Sequence, residues 1–418
     1  MKFFRQKSSD QRRLSLTVYG FTNKTVDSVD EIVRKLRQAL NKTQTNNTFH
    51  TIEEQKKLSI TKSEANVYST TNTSNSNASN GSNSEMSNES HIKQYLENLR
   101  QNIIFNKLFS DNYMSEVNEQ QNSNENQNNN IIQNNLKIFS SFTEELFSSD
   151  IILELIEKLP LIGFENKKLV ANIVCNALLL KIEDRLVTVD YICKEPEILF
   201  CLIDTYKYGR SDLTLNCGRI LRQCLKHECL ARIALNSQQF LELFSYVNQK
   251  TFDVAMDAFI TFQSLLTTHK ELSEEYLIEN NELFFDNYMK LINSNNYVTK
   301  RQSLEILALI LSYSQTNRDL FCKQTQRLTV ILDLFWHHYR HIRFRALNVF
   351  NVLICADIDG HHSMEIIQFL INQNNRQRLV EVLKNFRDFK TKCKFFSDLK
   401  PFATKLIHFF EETTDITQ

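Results

Sequence analysis

Three short stretches carry the residue types that could do chemistry. CLKHEC (224–229) crowds two thiols around His227, the makings of a metal site or an activated cysteine. WHHYRHIRF (336–344) and the pair His361-His362 gather imidazoles. NYVTKRQSL (296–304) sets an aromatic ahead of a Lys-Arg pair, and aromatics and arginine dominate the energetics of protein interfaces.

Spacing decides against the first two as reaction centres. A zinc site needs a second pair of ligands at short spacing, and on a helix Cys224 and Cys229 stand at i and i+5, which diverge around the axis. Adjacent histidines on a helix point about 100° apart and seldom share a metal, so exposed helix ends or partner contacts are expected for them. The nine cysteines are scattered and mostly lie among apolar neighbours, as buried free thiols do. HExxH, GxSxG, Walker, dinucleotide-binding and DxDxDG calcium motifs are all missing from the sequence. The expectation is a protein with no catalytic residue, no metal and no cofactor, which works by binding.

The elements that would position such a surface are helices. Only 6 glycines and 3 prolines punctuate 418 residues, where average usage is about 7% and 5%. A basic extension (1–25) precedes an N-terminal helical region (26–135), in which Val29, Ile32, Val33, Leu36 and Leu40 recur at helical spacing behind a capping box of Ser28 and Glu31. Ile92, Tyr95, Leu96, Leu99, Ile103 and Leu108 repeat the pattern. Two tracts rich in Asn, Ser and Gln, 69–90 and 118–135, interrupt this region and are expected to be disordered, because they have too little to bury to offset chain entropy.

Residues 136–390 read as repeats, followed by a C-terminal helix and tail (391–418). Five stretches superimpose on a small residue, Ala171, Gly218, Ala258, Ser303 and Ala346, separated by 47, 40, 45 and 43 positions. Seven residues after each stands an aliphatic one: Leu178, Leu225, Leu265, Ile310 and Leu353. A small residue lets the next helix approach, and the aliphatic two turns on fills the layer beneath. This period predicts an all-α armadillo- or HEAT-like solenoid with a concave binding face.

Within the repeat that starts at NYVTKRQSL, Leu304, Leu307 and Leu311 mark a buried stripe, and Tyr297, Arg301 and Glu305 fall at i, i+4 and i+8 on another side. Two readings stand. Arg301 and Glu305 form an ordinary solvated pair while Tyr297 covers the helix start, or the stripe faces a partner. Phe252 occupies the comparable position in the preceding repeat, which suggests a groove. With 49 basic and 49 acidic residues, nothing recruits nucleic acid or an acidic membrane by bulk charge. No apolar run approaches the roughly 18 residues of a membrane span, and a cytosolic protein is expected.

The residues GFENKK (163–168), TVDYIC (188–193), LNCGRILRQCLKHECLARI (215–233), TFDVAMDAFITFQSLLTTHK (251–270), NYVTKRQSL and RHIRFRALNVF (340–350) closely resemble those of the mouse protein 25 family, also called calcium-binding protein 39 and its like. The resemblance implies a non-catalytic helical-repeat scaffold that binds Ste20-class (germinal-centre) protein kinases and pseudokinases. Its concave face would pack near the kinase αC helix and favour the active arrangement. Phe252, Tyr297 and Arg301 match the family's kinase-facing positions; Glu305 departs from them, since the family usually has lysine there. A second family site, a pocket for a Trp-Glu-Phe tail, maps onto Leu332, Ile371 and Arg378. Leu332 replaces a methionine, Ile371 a lysine, and Ser312 or Ser314 an arginine, with Arg318 or Lys323 as substitutes for the lost cations. The alternative partner is another peptide, such as transport cargo; an armadillo groove for cargo wants repeated tryptophans, and the chain has one, Trp336.

Overall fold

The structure, a computed structural model, describes residues 29–46, 79–120, 140–182, 185–355 and 373–388, together with 400, 401, 404, 407 and 408. It divides into two compact units, one ending at Ile198 and the other starting at Leu199.

In the first unit, helix α1 (Val29–Asn46) packs against the long α2 (Ser79–Gln120), and α2 packs against α4 (Phe164–Ala177); α3 (Ile151–Glu157) precedes α4. A two-residue antiparallel ladder, β1 (Lys181–Ile182) with β2 (Arg185–Leu186), leads into α5 (Val187–Lys194). The helical stripes expected from periodicity are core: Val29, Ile32, Val33, Leu36 and Leu40 on α1 and Ile92, Leu96, Leu99 and Ile103 on α2 are all buried, with Tyr95 half-buried. Ser28 and the side chain of Leu108 lie outside the described residues, as do 69–78 and 121–135 of the two polar tracts.

Helix α2 takes in 79–90 and 118–120, which composition assigned to disordered insertions. The reason lies in Asn88 and Glu89, polar residues that tether rather than solvate. The Glu89 carboxylate accepts hydrogen bonds from the Gly163 amide at 3.0 Å and from Asn166 Nδ2 at 2.6 Å, at the N-terminus of α4, where the helix dipole favours an anion. Asn88 Nδ2 donates to the Ala39 carbonyl at 3.1 Å and to Thr43 Oγ1 at 3.0 Å. A helix anchored in this way extends at little cost per residue.

The second unit begins within α6 (Glu197–Asp204) and is a stack of three-helix repeats. Its long helices are α7 (Ser211–Cys224), α10 (Phe252–Thr267), α13 (Tyr297–Tyr313) and α16 (Arg340–Cys355), each packed on the next. Shorter pairs connect them: α8 (Glu228–Leu235) with α9 (Gln238–Tyr246), α11 (Lys270–Glu279) with α12 (Asn281–Ile292), and α14 (Gln315–Cys322) with α15 (Thr325–Asp333). Helix α17 (Gln373–Asp388) follows. Every small residue of the repeat pattern, and every aliphatic residue seven positions on, is buried. Side-chain caps set the helix starts: Ser237 accepts from the Phe240 amide, Asn296 from Val298 and Thr299, and Ser314 from Asn317. Behind them Phe240, Phe244, Phe262, Phe284 and Tyr288 form a continuous aromatic cluster with ring centroids 5.0 to 6.4 Å apart.

A polar node joins α7 to α10. Asp257, buried at 5% exposure, accepts from Arg222 Nη2 at 2.8 Å and from Tyr206 Oη at 2.6 Å, and Arg222 Nη1 also donates to Thr261 Oγ1 at 2.9 Å. Burial, with the Asp257 charge beside it, pushes the Tyr206 phenol well above its ordinary range. Gly218 makes room for this carboxylate: a Cβ there would collide with Asp257 and lie 2.7 Å from Tyr206 Oη.

Asp257→Ala should lower stability in urea unfolding by about 3 kcal/mol, because it leaves Arg222 and Tyr206 without their anion. Gly218→Ala should cost about 2 kcal/mol through overpacking. In the double variant the methyl occupies space vacated by the carboxylate, so the combined loss should fall short of the sum. Additive losses would mean that the two residues do not meet.

A second expectation concerns acid. Burial holds the His227 imidazole below its ordinary 6.5, assisted by the His269 and Lys226 charges. The unfolded chain therefore takes the proton first, and the contribution to stability is present above about pH 7 and lost as pH falls through 6.5 toward the folded value. His227→Gln should flatten the melting temperature between pH 7 and 5; an unchanged slope would exclude this group as its source.

Candidate partner-binding face

The Asn296 cap makes Tyr297 the first residue of α13 and so fixes which residues the helix shows outward. Thr299, Ser303, Leu304, Leu307 and Leu311 are buried, whereas Tyr297, Arg301 and Glu305 are half-buried, in line one turn apart. Rotation of the helix is held from behind by Tyr288 Oη, which donates to the Ser303 carbonyl at 2.7 Å.

Arg301 and Glu305 do not pair with each other. Glu305 Oε2 instead takes Arg345 Nη2 at 3.0 Å, from the next long helix, so the acidic residue at this position is neutralised inside the fold. Among the described residues, Arg301 has no hydrogen-bond or carboxylate partner for its guanidinium. The solvated i,i+4 couple is thereby replaced by an inter-repeat ion pair and a cation left open. Beside it, burial lowers the pKa of Lys300. The Tyr297 ring meets Tyr339 edge-on at 4.9 Å, and His337 and His338 stack at 4.3 Å in the same turn, so the histidine run sits at the entry of α16 as an aromatic corner. Burial, then the Lys300, His338 and Arg343 charges, hold the His337 pKa down.

On the neighbouring α10, Phe252 is 63% exposed at the helix start. Counting from the buried small residues Ala258 and Ser303, Phe252 matches Tyr297, Met256 matches Arg301 and Ile260 matches Glu305. Met256 is half-buried and Ile260 49% exposed, so α10 presents an apolar column in register with the α13 stripe. Between the two helix starts lies a shallow cleft lined by Phe252, Met256, Val298 and Asn296, with Lys250 and Gln249 at one wall. In the sequence Phe252 stands out on this helix and Met256 and Ile260 do not, because an apolar residue in a helical pattern reads as core.

The residues assigned to a tail pocket are dispersed in role. Leu332 is fully buried in α15 and lines no open surface. Arg378 donates to Asp333 Oδ1 at 2.7 Å and lies over the Trp336 ring at 4.7 Å. Ile371 lies outside the described residues. Of the substitutes, Arg318 is buried and already held by the Leu311 carbonyl and Gln315 Oε1. Ser312 donates to the Leu309 carbonyl, and Ser314 caps α14.

CLKHEC turns out to be a corner rather than a helix. Cys224 ends α7 and is buried, His227 immediately precedes α8 without a side-chain capping bond, and Cys229 is exposed on α8. Among the described residues no group of three or more His, Cys, Asp or Glu is arranged to hold a metal, and no helix is long and apolar enough to cross a membrane.

Comparison with known proteins places the chain in a family. A model of Mo25-like proteins matches residues 20–410. The chain is similar to mouse calcium-binding protein 39-like, 39% identical over 270 residues that make up 64% of this chain and 78% of that one. The human protein of the same name is 38% identical over 276 residues, 66% and 80% of the two chains. MO25-like protein 2 of Caenorhabditis elegans is 34% identical over 278 residues, 66% and 79%. This chain belongs to the Mo25-like family.

Proposed function

We propose that the chain is a non-catalytic, cytoplasmic scaffold that binds Ste20- or germinal-centre-class protein kinases or pseudokinases through the α10–α13 face and activates them. Family membership supports a scaffold-type protein; the finer reading is carried by Arg301, a half-buried residue whose guanidinium has no partner among the described residues, one turn along α13 from Tyr297, with the exposed ring of Phe252 on the neighbouring α10. A guanidinium with its donors open can take a partner's carboxylate in a charge-assisted, bidentate pair. Tyrosine, phenylalanine and arginine together are the residue types from which interface hot spots are built.

Glu305 enters this reading with its charge already spent on Arg345, so it shapes the edge of the face more than it attracts a cation from the partner. Activation requires only that the partner's active arrangement binds more tightly than the inactive one; a tenfold preference supplies about 1.4 kcal/mol of shift. The tail pocket is left out of the proposal, because Leu332 is core and Arg378 is engaged by Asp333 and Trp336.

The test uses a purified Ste20-class kinase domain with its activity titrated against the full chain. Tyr297→Ala with Arg301→Ala, shown by circular dichroism to be folded, should raise the concentration for half-maximal activation at least 30-fold. Equal activation by variant and wild type would mean that the stripe is solvated surface and that the partner sits elsewhere.

A further inference from the structure

Phe252, Met256 and Ile260 form an apolar column on α10 at i, i+4 and i+8, about 12 Å long at 1.5 Å rise per residue. Apolar residues exposed singly are ordinary; three in line, with Phe252 and Ile260 exposed and Met256 half-buried, are not. The column lies beside the α13 stripe, since the two helices pack together and share the register set by Ala258 and Ser303. In the repeat register Ile260 corresponds to Glu305, which is paired with Arg345, and Met256 to Arg301, which has no partner among the described residues. Phe252 and Met256 also share the wall of the shallow cleft, with Val298 across it.

We propose that Met256 and Ile260 are specificity-determining residues of this face, and that the kinase segment seated on it presents two aliphatic or aromatic side chains about one helical turn apart with a carboxylate beside the one nearer Met256. The inference rests on the kinase-scaffold reading and deepens it. A partner with small polar groups at these places leaves Met256 and Ile260 in water and gains nothing from them, whereas a matching partner removes both from water. Methionine, unbranched and polarizable, adapts to the shape of what it meets, while the β-branched Ile260 offers a stiff contour that selects.

Calorimetric titration of the full chain with a purified Ste20-class kinase catalytic domain tests this. Met256→Ser with Ile260→Ser is expected to weaken binding about 30-fold and to shrink the negative heat-capacity change, the mark of lost apolar burial. Met256→Leu with Ile260→Leu is expected to stay within about threefold of wild type, which separates loss of apolar contact from a general disturbance of α10. Tyr297→Ala with Arg301→Ala runs beside them. If that variant loses the kinase while the serine pair keeps wild-type affinity and heat capacity, the inference is overturned and the function reading stands. If the stripe variant also binds as wild type does, or wild type does not bind, both are overturned.

Discussion

The close approach of α7 to α10 at Gly218 and Asp257 is the constraint on which the candidate face depends. A carboxylate with 5% exposure is tolerable only because Arg222 and Tyr206 converge on it, each of them also bonded to Thr261, and their convergence requires a glycine on the facing helix. With Asp257, Ala258, Thr261 and Phe262 turned inward, the side of α10 that carries Phe252, Met256 and Ile260 is the one left toward the outside. The same polar node that joins two repeats therefore fixes the rotation of α10. On α13 the Tyr288 bond to the Ser303 carbonyl and the Asn296 cap do the equivalent work for Tyr297 and Arg301.

Electrostatics across the repeats then sorts the exposed groups into spent and unspent. Arg345 and Arg222 are committed to carboxylates on neighbouring helices, and Arg378 to Asp333 and an indole. Arg301, half-buried on α13, stays uncommitted among the described residues. Rigid helices hold this cation and the apolar column in fixed register, so a partner pays little to order them, and shape and charge can discriminate between partners.

Much of this was legible in the sequence, for stated reasons. A small residue followed seven positions later by an aliphatic one is a packing requirement that recurs in each repeat, and all ten such positions are buried. The Tyr297, Arg301, Glu305 stripe follows from helical spacing alone. What stayed hidden was long-range or context-dependent. The partner of Glu305 lies 40 residues on, in the next repeat, where no local pairing rule looks. Asn88 and Glu89 sit in a tract that composition treats as solvated, yet their side chains cap and tether other helices. CLKHEC reads as one helix and is a corner between two.

The most direct measurement is hydrogen exchange of the full chain with and without a purified Ste20-class kinase domain. The account expects slowed amide exchange in peptides covering 252–263 and 297–309, with 325–336 and 373–388 unchanged. Protection confined to 325–388, with 252–309 exchanging as in the free chain, would contradict it.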